Sequence, residues 1–357
     1  MFTPIHQADM THSEGSRFKL PALRRLLRRA TVALLCLQHG VGYAAGVPEE
    51  ALRLADSGHY RRALAIIEPL ARANPGDVEL QFRWGEALLG TRRPEAAIDV
   101  LSQVIAKSPN NGVYRRVRGE AYRDQAQRQF ESGGSMLGMV RMSGVMRSAR
   151  EEFEAAVRLD PQDVKALVNL ASFHIMLPAM LGGSLETAHA LEDKIDRLDP
   201  VQGLRVRAME AEHKGDVARA EAILKRAVEL DTSIESRAAL GLLYVNAKRY
   251  PEATALFRAL AAGPGKPYVA WYQLGRIADL SRSNEEEGIR MLQRYLAYDD
   301  LPDTATSKGW AHYRLGNLFT QRGQLGSAKS QYAAAQRFAS QEPALRQRLK
   351  ENADSNR

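Results

Sequence analysis

Residues 58–77, GHYRRALAIIEPLARANPGD, decide how this chain is read. Gly58, Tyr60, Ala63, Ile67 and Pro75 form a skeleton that returns as Ala97, Leu101, Val104 and Pro109. It returns again as Ala149, Phe153, Ala156 and Pro161. Further copies centre on Ala188 with Pro200, on Ala220, Leu224 and Ala227, and on Tyr250, Ala253 and Phe257. A degenerate copy carries Gly288, Leu292 and Tyr295, and the last runs Gly323, Ala328, Tyr332, Ala335. The alanines are small where two helices cross, which lets their backbones approach. The Asp-Pro and Asn-Pro steps end helices, because proline cannot continue one and biases the residue before it away from helical geometry.

A second signature alternates with the first: Trp84-Gly85 with Leu88, Arg118-Gly119 with Tyr122, and Leu170-Ala171 with His174. It continues as Leu240-Gly241 with Tyr244, Trp271 with Leu274-Gly275, and Leu315-Gly316 with Phe319. Self-similarity at a period near 34 residues marks a repeat architecture. In these positions the chain resembles the tetratricopeptide-repeat (TPR) family over residues 46–340, about four fifths of its length. The resemblance implies an all-α solenoid of about eight helix-turn-helix repeats, each burying its apolar face only by stacking on its neighbours. The polar segment 341–357 reads as a helix capping the open end, followed by a short tail.

Composition agrees. The 357 residues are 45% hydrophobic and 26% charged, rich in the strong helix formers. Residues 1–44 differ from the rest. Arg17, Lys19, Arg24, Arg25, Arg28 and Arg29 precede a short apolar run, Thr31 to Leu37, and then the small residues Gly42, Ala44 and Ala45. This is the pattern of a secretory signal peptide, with cleavage after Ala44 and translation starting at Met1 or Met10. The run is far below the ~20 residues of a membrane span. Cys36, the sole cysteine, lies inside it behind Leu35, where a lipoprotein signal wants a small residue. The expected mature chain is thus cysteine-free and periplasmic or secreted. The leader holds six of the 50 Lys/Arg and two of the 42 Asp/Glu. The remaining charge is too mild and too dispersed for a nucleic-acid binder.

The array departs from its repeat in three places. About 18 extra residues fall between Tyr122 and Ala149, an insertion spanning about 124–148, where Met136, Met139, Met142 and Met146 share one helical face. Three readings stay open for that face: packing on a neighbouring repeat, an adaptable docking surface, or thioether binding of Cu(I). Next, FHIMLPAMLGGSLETAHA contains Pro178, the Gly182-Gly183 pair and the N-capping Ser184, read as a structural turn without the lysine of a phosphate loop. Together with the insertion it resembles an exported bacterial TPR subgroup with a P…GGS…A segment, though Leu177-Pro178 stands where Ala-Pro is usual. Last, residues 112–150 hold eight arginines against only Glu120, Asp124 and Glu131. Such a patch is either a solvated face or a surface for an acidic partner, an anionic polysaccharide or a membrane.

No catalytic constellation emerges. His59, His174, His189, His213 and His312 are scattered one to a repeat, without H-E-x-x-H spacing, nucleophile elbow or cofactor fingerprint. The reading is a non-enzymatic scaffold with no cofactor or metal, which binds a protein or peptide in its concave groove. TPR resemblance places Phe82, Glu86, Arg116, Glu120, Arg123, Lys165, Arg205, Tyr272, Arg276, Tyr313 and Asn317 on that groove, with the four methionines of the insertion extending it. Lys165 and Asn169 occupy two positions of a carboxylate clamp that neighbouring repeats do not complete. The alternative is an envelope carrier or assembly factor that holds polysaccharide or lipid through the arginines.

Overall fold

The computed structural model describes residues 46–131, 136–265 and 267–355; residues 1–45, with the expected leader, lie outside them, as do the side chains of 136–141. Among the described residues there are seventeen α-helices and no strand. Eight antiparallel pairs follow one another: α1 (Glu49–Asp56) with α2 (Tyr60–Ala73), α3 (Val78–Gly90) with α4 (Pro94–Lys107), and α5 (Gly112–Glu131) with α6 (Met136–Leu159). Then come α7 (Val164–Met176) with α8 (Leu185–Leu198), α9 (Pro200–His213) with α10 (Val217–Leu230), and α11 (Ile234–Asn246) with α12 (Tyr250–Ala262). The array ends with α13 (Pro267–Ser281) and α14 (Glu285–Ala297), α15 (Lys308–Gln321) and α16 (Leu325–Gln336), and a last helix α17 (Pro343–Ser355). No helix among these is long and apolar enough to cross a membrane.

Local chemistry starts the helices where the sequence changes period. Asp77, Asp163, Asp199, Asp216, Ser184, Ser233 and Ser307 each accept a backbone N–H of the first turn. Asp199 also closes α8, so one residue ends one helix and begins the next. In five of the pairs the second helix drives a large side chain onto a glycine of the first. A Cβ at Gly119 would meet the Phe153 ring at 2.6 Å, and one at Gly241 would meet the Phe257 ring at 2.7 Å. Phe153 and Phe257 are fully buried as a result. The apolar core therefore runs along the array as linked clusters instead of gathering at one centre.

The insertion does not form a separate element. It lengthens the third hairpin, giving α5 20 residues and α6 24 where α3 has 13 and α4 has 14. The four methionines thus lie on the N-terminal extension of a repeat helix whose later turns carry Ala149, Phe153 and Ala156. Met142 and Met146 are half-buried, while Met136 and Met139 have side chains outside the described residues.

The array curls far enough to meet itself. The turn after α1 touches the α14–α15 connection: Asp303 N–H donates to the Gly58 carbonyl at 2.8 Å, and Arg61 N–H donates to Asp303 Oδ2 at 2.7 Å across 242 residues. Arg61 Nε also pairs with Asp303 at 3.0 Å, and His59 and Arg62 approach Asp300 at 3.3 and 3.4 Å. Gly58 is required here twice over. Its φ is +80°, and a Cβ would lie 2.9 Å from Thr304 Oγ1.

An ionic knot holds the middle of the array. Glu221 on α10 receives Arg249 Nη1, Lys225 Nζ at 2.8 Å and the Tyr244 hydroxyl at 3.0 Å. These donors, Arg249 first, pull its carboxyl down from an ordinary 4.5 to about 2. A depressed folded value means that the unfolded chain binds more protons in that interval. The stabilisation is therefore complete above pH 4.5 and is lost as the pH falls toward 2. Denaturant melts across this range are expected to show α10–α12 losing stability in wild type, with a flatter acid limb in Glu221→Gln. An acid limb of equal slope in both proteins would remove Glu221 as the source.

Candidate functional site

A cleft of about 500 Å³ is lined by side chains of α3, α5 and α7. Glu86 comes from α3, Arg116, Glu120, Arg123 and Asp124 from α5, and Lys165 from α7. Tyr60 and Arg92 close one wall, and Asp303 and Thr304 of the α14–α15 connection reach the mouth. Three consecutive repeats thus converge on one space, and the curl of the array sets its rim.

The cleft is preorganised by its own ion pairs. Arg116 is clamped between Asp163 (Nε to Oδ2, 2.9 Å) and Glu120 (Nη1 to Oε1, 3.0 Å). Asn169 donates to Glu120 at 2.9 Å and accepts from Arg123 at 2.6 Å, so its amide is committed on both ends. Burial pushes the Glu86 carboxyl up against the pull of Arg83, whose Nη1 donates to it at 2.8 Å. Burial likewise raises Asp124, opposed by the nearby Arg92. Lys165 is exposed at the edge and has no ion pair among the described residues.

Arg116, Arg123 and Lys165 all line this cleft. Other residues expected on the groove are not exposed there. Phe82 is a core side chain, 3% exposed, its ring 4.5 Å from that of Tyr114 on the next repeat. Tyr272 is buried against the Tyr295 ring, with its hydroxyl accepting from Arg314 Nε at 3.2 Å. Both sit where successive first helices press together, and an aromatic there fills the inter-repeat gap instead of facing solvent. Tyr313 is half-buried between the rings of Trp310 and Tyr332. Asn317 bridges Asp279, at 3.1 Å, and the Tyr332 hydroxyl, at 2.9 Å. Arg205 is half-buried near Asp231. Arg276 is half-buried too, its guanidinium value lowered by burial and then by Arg314.

The arginine-rich stretch is more neutral than residues 112–150 alone imply. Glu152 takes both Arg118 (2.5 Å) and Arg115 (3.3 Å), Asp163 takes Arg116, and Glu154 stands 3.5 Å from Arg150. These carboxylates lie just beyond the window and are folded back by the hairpin. Four of the eight arginines, Arg115, Arg116, Arg118 and Arg150, thus face carboxylates, which lowers the local charge that a polyanion would meet.

Two features escaped the sequence reading. Met176, Met180, Leu181 and Leu185 are all exposed around the α7–α8 turn, Met180 by 88%. This turn leans on α6, since a Cβ at Gly182 would strike the Arg150 guanidinium. The other is a meeting of His189 with Glu192 and Glu210, signalled in the sequence only by a His-x-x-Glu step. His174, by contrast, is a core residue whose imidazole is held toward its neutral form by burial.

Residues 49–112 and 205–267 match the tetratricopeptide-repeat family profile. The chain carries tetratricopeptide repeats in those two stretches, and further helix pairs lie between and beyond them. Among solved structures, it is similar to a monomeric mutant of IFIT1 with m7Gppp-AAAA: 16% identity, 93% of this chain and 76% of that one covered, TM-score 0.54. At that identity the likeness is one of fold alone. It also matches a tetratricopeptide repeat protein from Parabacteroides merdae (13% identity, 76% and 96% covered, TM-score 0.49). A third match is a thermophilic TPR protein of Thermus thermophilus (18%, 69% and 95%, TM-score 0.35). No curated protein matches the sequence.

Proposed function

We propose that this protein is an exported scaffold that binds a segment of a partner protein in the cleft between α3, α5 and α7, without chemistry of its own. One observation carries the reading: side chains of three successive repeats, Glu86, Arg116, Glu120, Arg123 and Lys165, converge on one concave space. Ion pairs of Glu86, Arg116 and Glu120 and the hydrogen bond of Arg123 to Asn169 hold these groups in place before any partner arrives, which lowers the ordering cost of binding. The mixed charge selects an extended segment carrying an acidic group for Lys165 and a basic group for Glu86. The exposed Met176, Met180, Leu181 and Leu185 offer the same partner an apolar contact beside the lengthened hairpin. Export rests on the basic, apolar and small-residue order of residues 1–44, next to a folded unit that begins at Gly46.

A photo-crosslinking amino acid at Arg123 or Lys165 is expected to capture one and the same partner in cells, and at Arg226 on α10 to capture none of it. With that partner purified, Lys165→Glu together with Arg123→Glu should weaken binding at least tenfold. Equal capture from Arg226, or affinity unchanged by the charge reversals, would remove the cleft as the binding surface. Export predicts a purified protein whose first residue is Ala45; an intact residue 1 in the envelope fraction would contradict it.

A further inference from the structure

Helices α8 and α9 meet at the single residue Asp199 and run back along each other, placing His189 and Glu192 of α8 opposite Glu210 of α9. One ligand atom from each of the three lies within 4.8 Å of the others. Both glutamates are buried, with 4% and 2% of their surfaces exposed, whereas the His189 side chain is 54% open to solvent. Two carboxylates this close inside a protein repel each other and need cations or donors around them. The structure supplies these unevenly. Glu210 is served by His189 Nε2 at 2.8 Å and Lys214 Nζ at 2.6 Å. Glu192 is not: among the described residues its Oε1 is buried without a hydrogen-bond partner, and its Oε2 has only Arg207 Nε at 4.0 Å. Arg207 is itself shared with Asp193 (3.5 Å) and Asp196 (3.3 Å). A buried polar atom left open in this way is uncommon, and it sits within a set of three metal-ligand groups.

We propose that His189, Glu192 and Glu210 bind a divalent transition-metal cation of the Zn²⁺ type. One imidazole with two carboxylates suits such an ion, whereas Ca²⁺ and Mg²⁺ favour oxygen alone and Cu(I) favours sulfur. His189 and Glu192 stand three apart on one helical face, a chelating step, and Glu210 completes the set from the neighbouring helix. Metal–ligand bonds of about 2.0–2.2 Å need the three atoms to close in by small side-chain rotations. As a neutral imidazole with its proton on Nδ1, His189 takes the metal through Nε2, the atom that now faces Glu210. Lys214, 43% exposed, swings into solvent, and water fills the remaining positions. The exposed imidazole is the entry path. The bound ion ties the second helix of the fourth repeat to the first helix of the fifth. In an array held by neighbour contacts, that stiffens one junction without touching the cleft.

The test uses the full chain, stripped with chelator and titrated with Zn²⁺ by calorimetry while thermal melting is followed in parallel. Wild type is expected to take up one equivalent at this site and to melt higher when it is filled. His189→Ala and the near-isosteric Glu192→Gln should each weaken that equivalent at least tenfold and lose the melting shift, while His213→Ala keeps both. Normal helical circular dichroism in Glu192→Gln separates loss of the site from loss of the fold. Absence of Zn²⁺ binding in wild type, or an equivalent that survives both substitutions unchanged, overturns the proposal.

Discussion

Arg314→Leu is expected to destabilise the C-terminal repeats by about 3–5 kcal/mol, the cost of breaking a buried ion pair from one side. The Arg314 and Asp279 side chains are only 14% and 7% exposed, and Arg314 Nη1 meets Asp279 Oδ2 at 2.8 Å. Asn317 and Gln321 also donate to that carboxylate, at 3.1 and 3.3 Å, and Arg314 Nε holds the Tyr272 hydroxyl. Leucine fills much of the space but leaves Asp279 charged and short of its counter-ion. Burial already pushes the Asp279 carboxyl above its ordinary value with Arg314 in place. Without the arginine it rises further, so the native variant binds a proton that its unfolded form does not. Its deficit should therefore shrink as the pH falls from 7 toward 4. The double variant Arg314→Leu/Asp279→Leu should recover most of the loss, since an apolar pair leaves no orphaned charge. Denaturant melts with hydrogen exchange over α13–α16 read this directly. A double variant as unstable as the single one would place the cost elsewhere.

The second large effect is expected in the middle of the array. Phe257→Ala removes a ring that is 0% exposed and lies on Gly241, within the cluster that joins Leu224, Tyr244 and Leu260. Loss of transfer energy and the cavity left behind together cost about 3–5 kcal/mol. Phe257→Leu, which retains most of the volume, should cost about 1.5 kcal/mol or less. Because each repeat is held by its neighbours, exchange should accelerate first in α10–α13 and only later in α1–α6. Uniform acceleration along the whole chain would mean that the array unfolds as one unit, with the closing contact between Gly58 and Asp303 coupling its ends.

Much of this architecture is legible in the sequence because its contacts are short in range. Ala63, Ala97, Ala149 and Ala253 sit in buried helix crossings, as their recurrence predicts, and Gly119 and Gly241 receive Phe153 and Phe257 from the next helix along. A periodic pattern encodes such neighbour packing locally, one repeat at a time. The cleft draws its side chains from the first helices of three repeats, Glu86 on α3, Arg116 and Arg123 on α5 and Lys165 on α7.

What spans the array or depends on the angle between adjacent helices is not legible in the sequence. The sequence alone determined the helices and their pairing. Only the tertiary structure decided that Phe82 and Tyr272 are buried between repeats, and that Glu152 and Asp163 pair with Arg115, Arg116 and Arg118. The same holds for the meeting of Gly58 with Asp303 and for Glu192 and Glu210 sharing one buried space with His189. The physical reason is accumulation. A small rotation from each helix pair to the next leaves the repeat pattern unchanged, but over eight pairs it sets how far the array curls and which distant side chains meet.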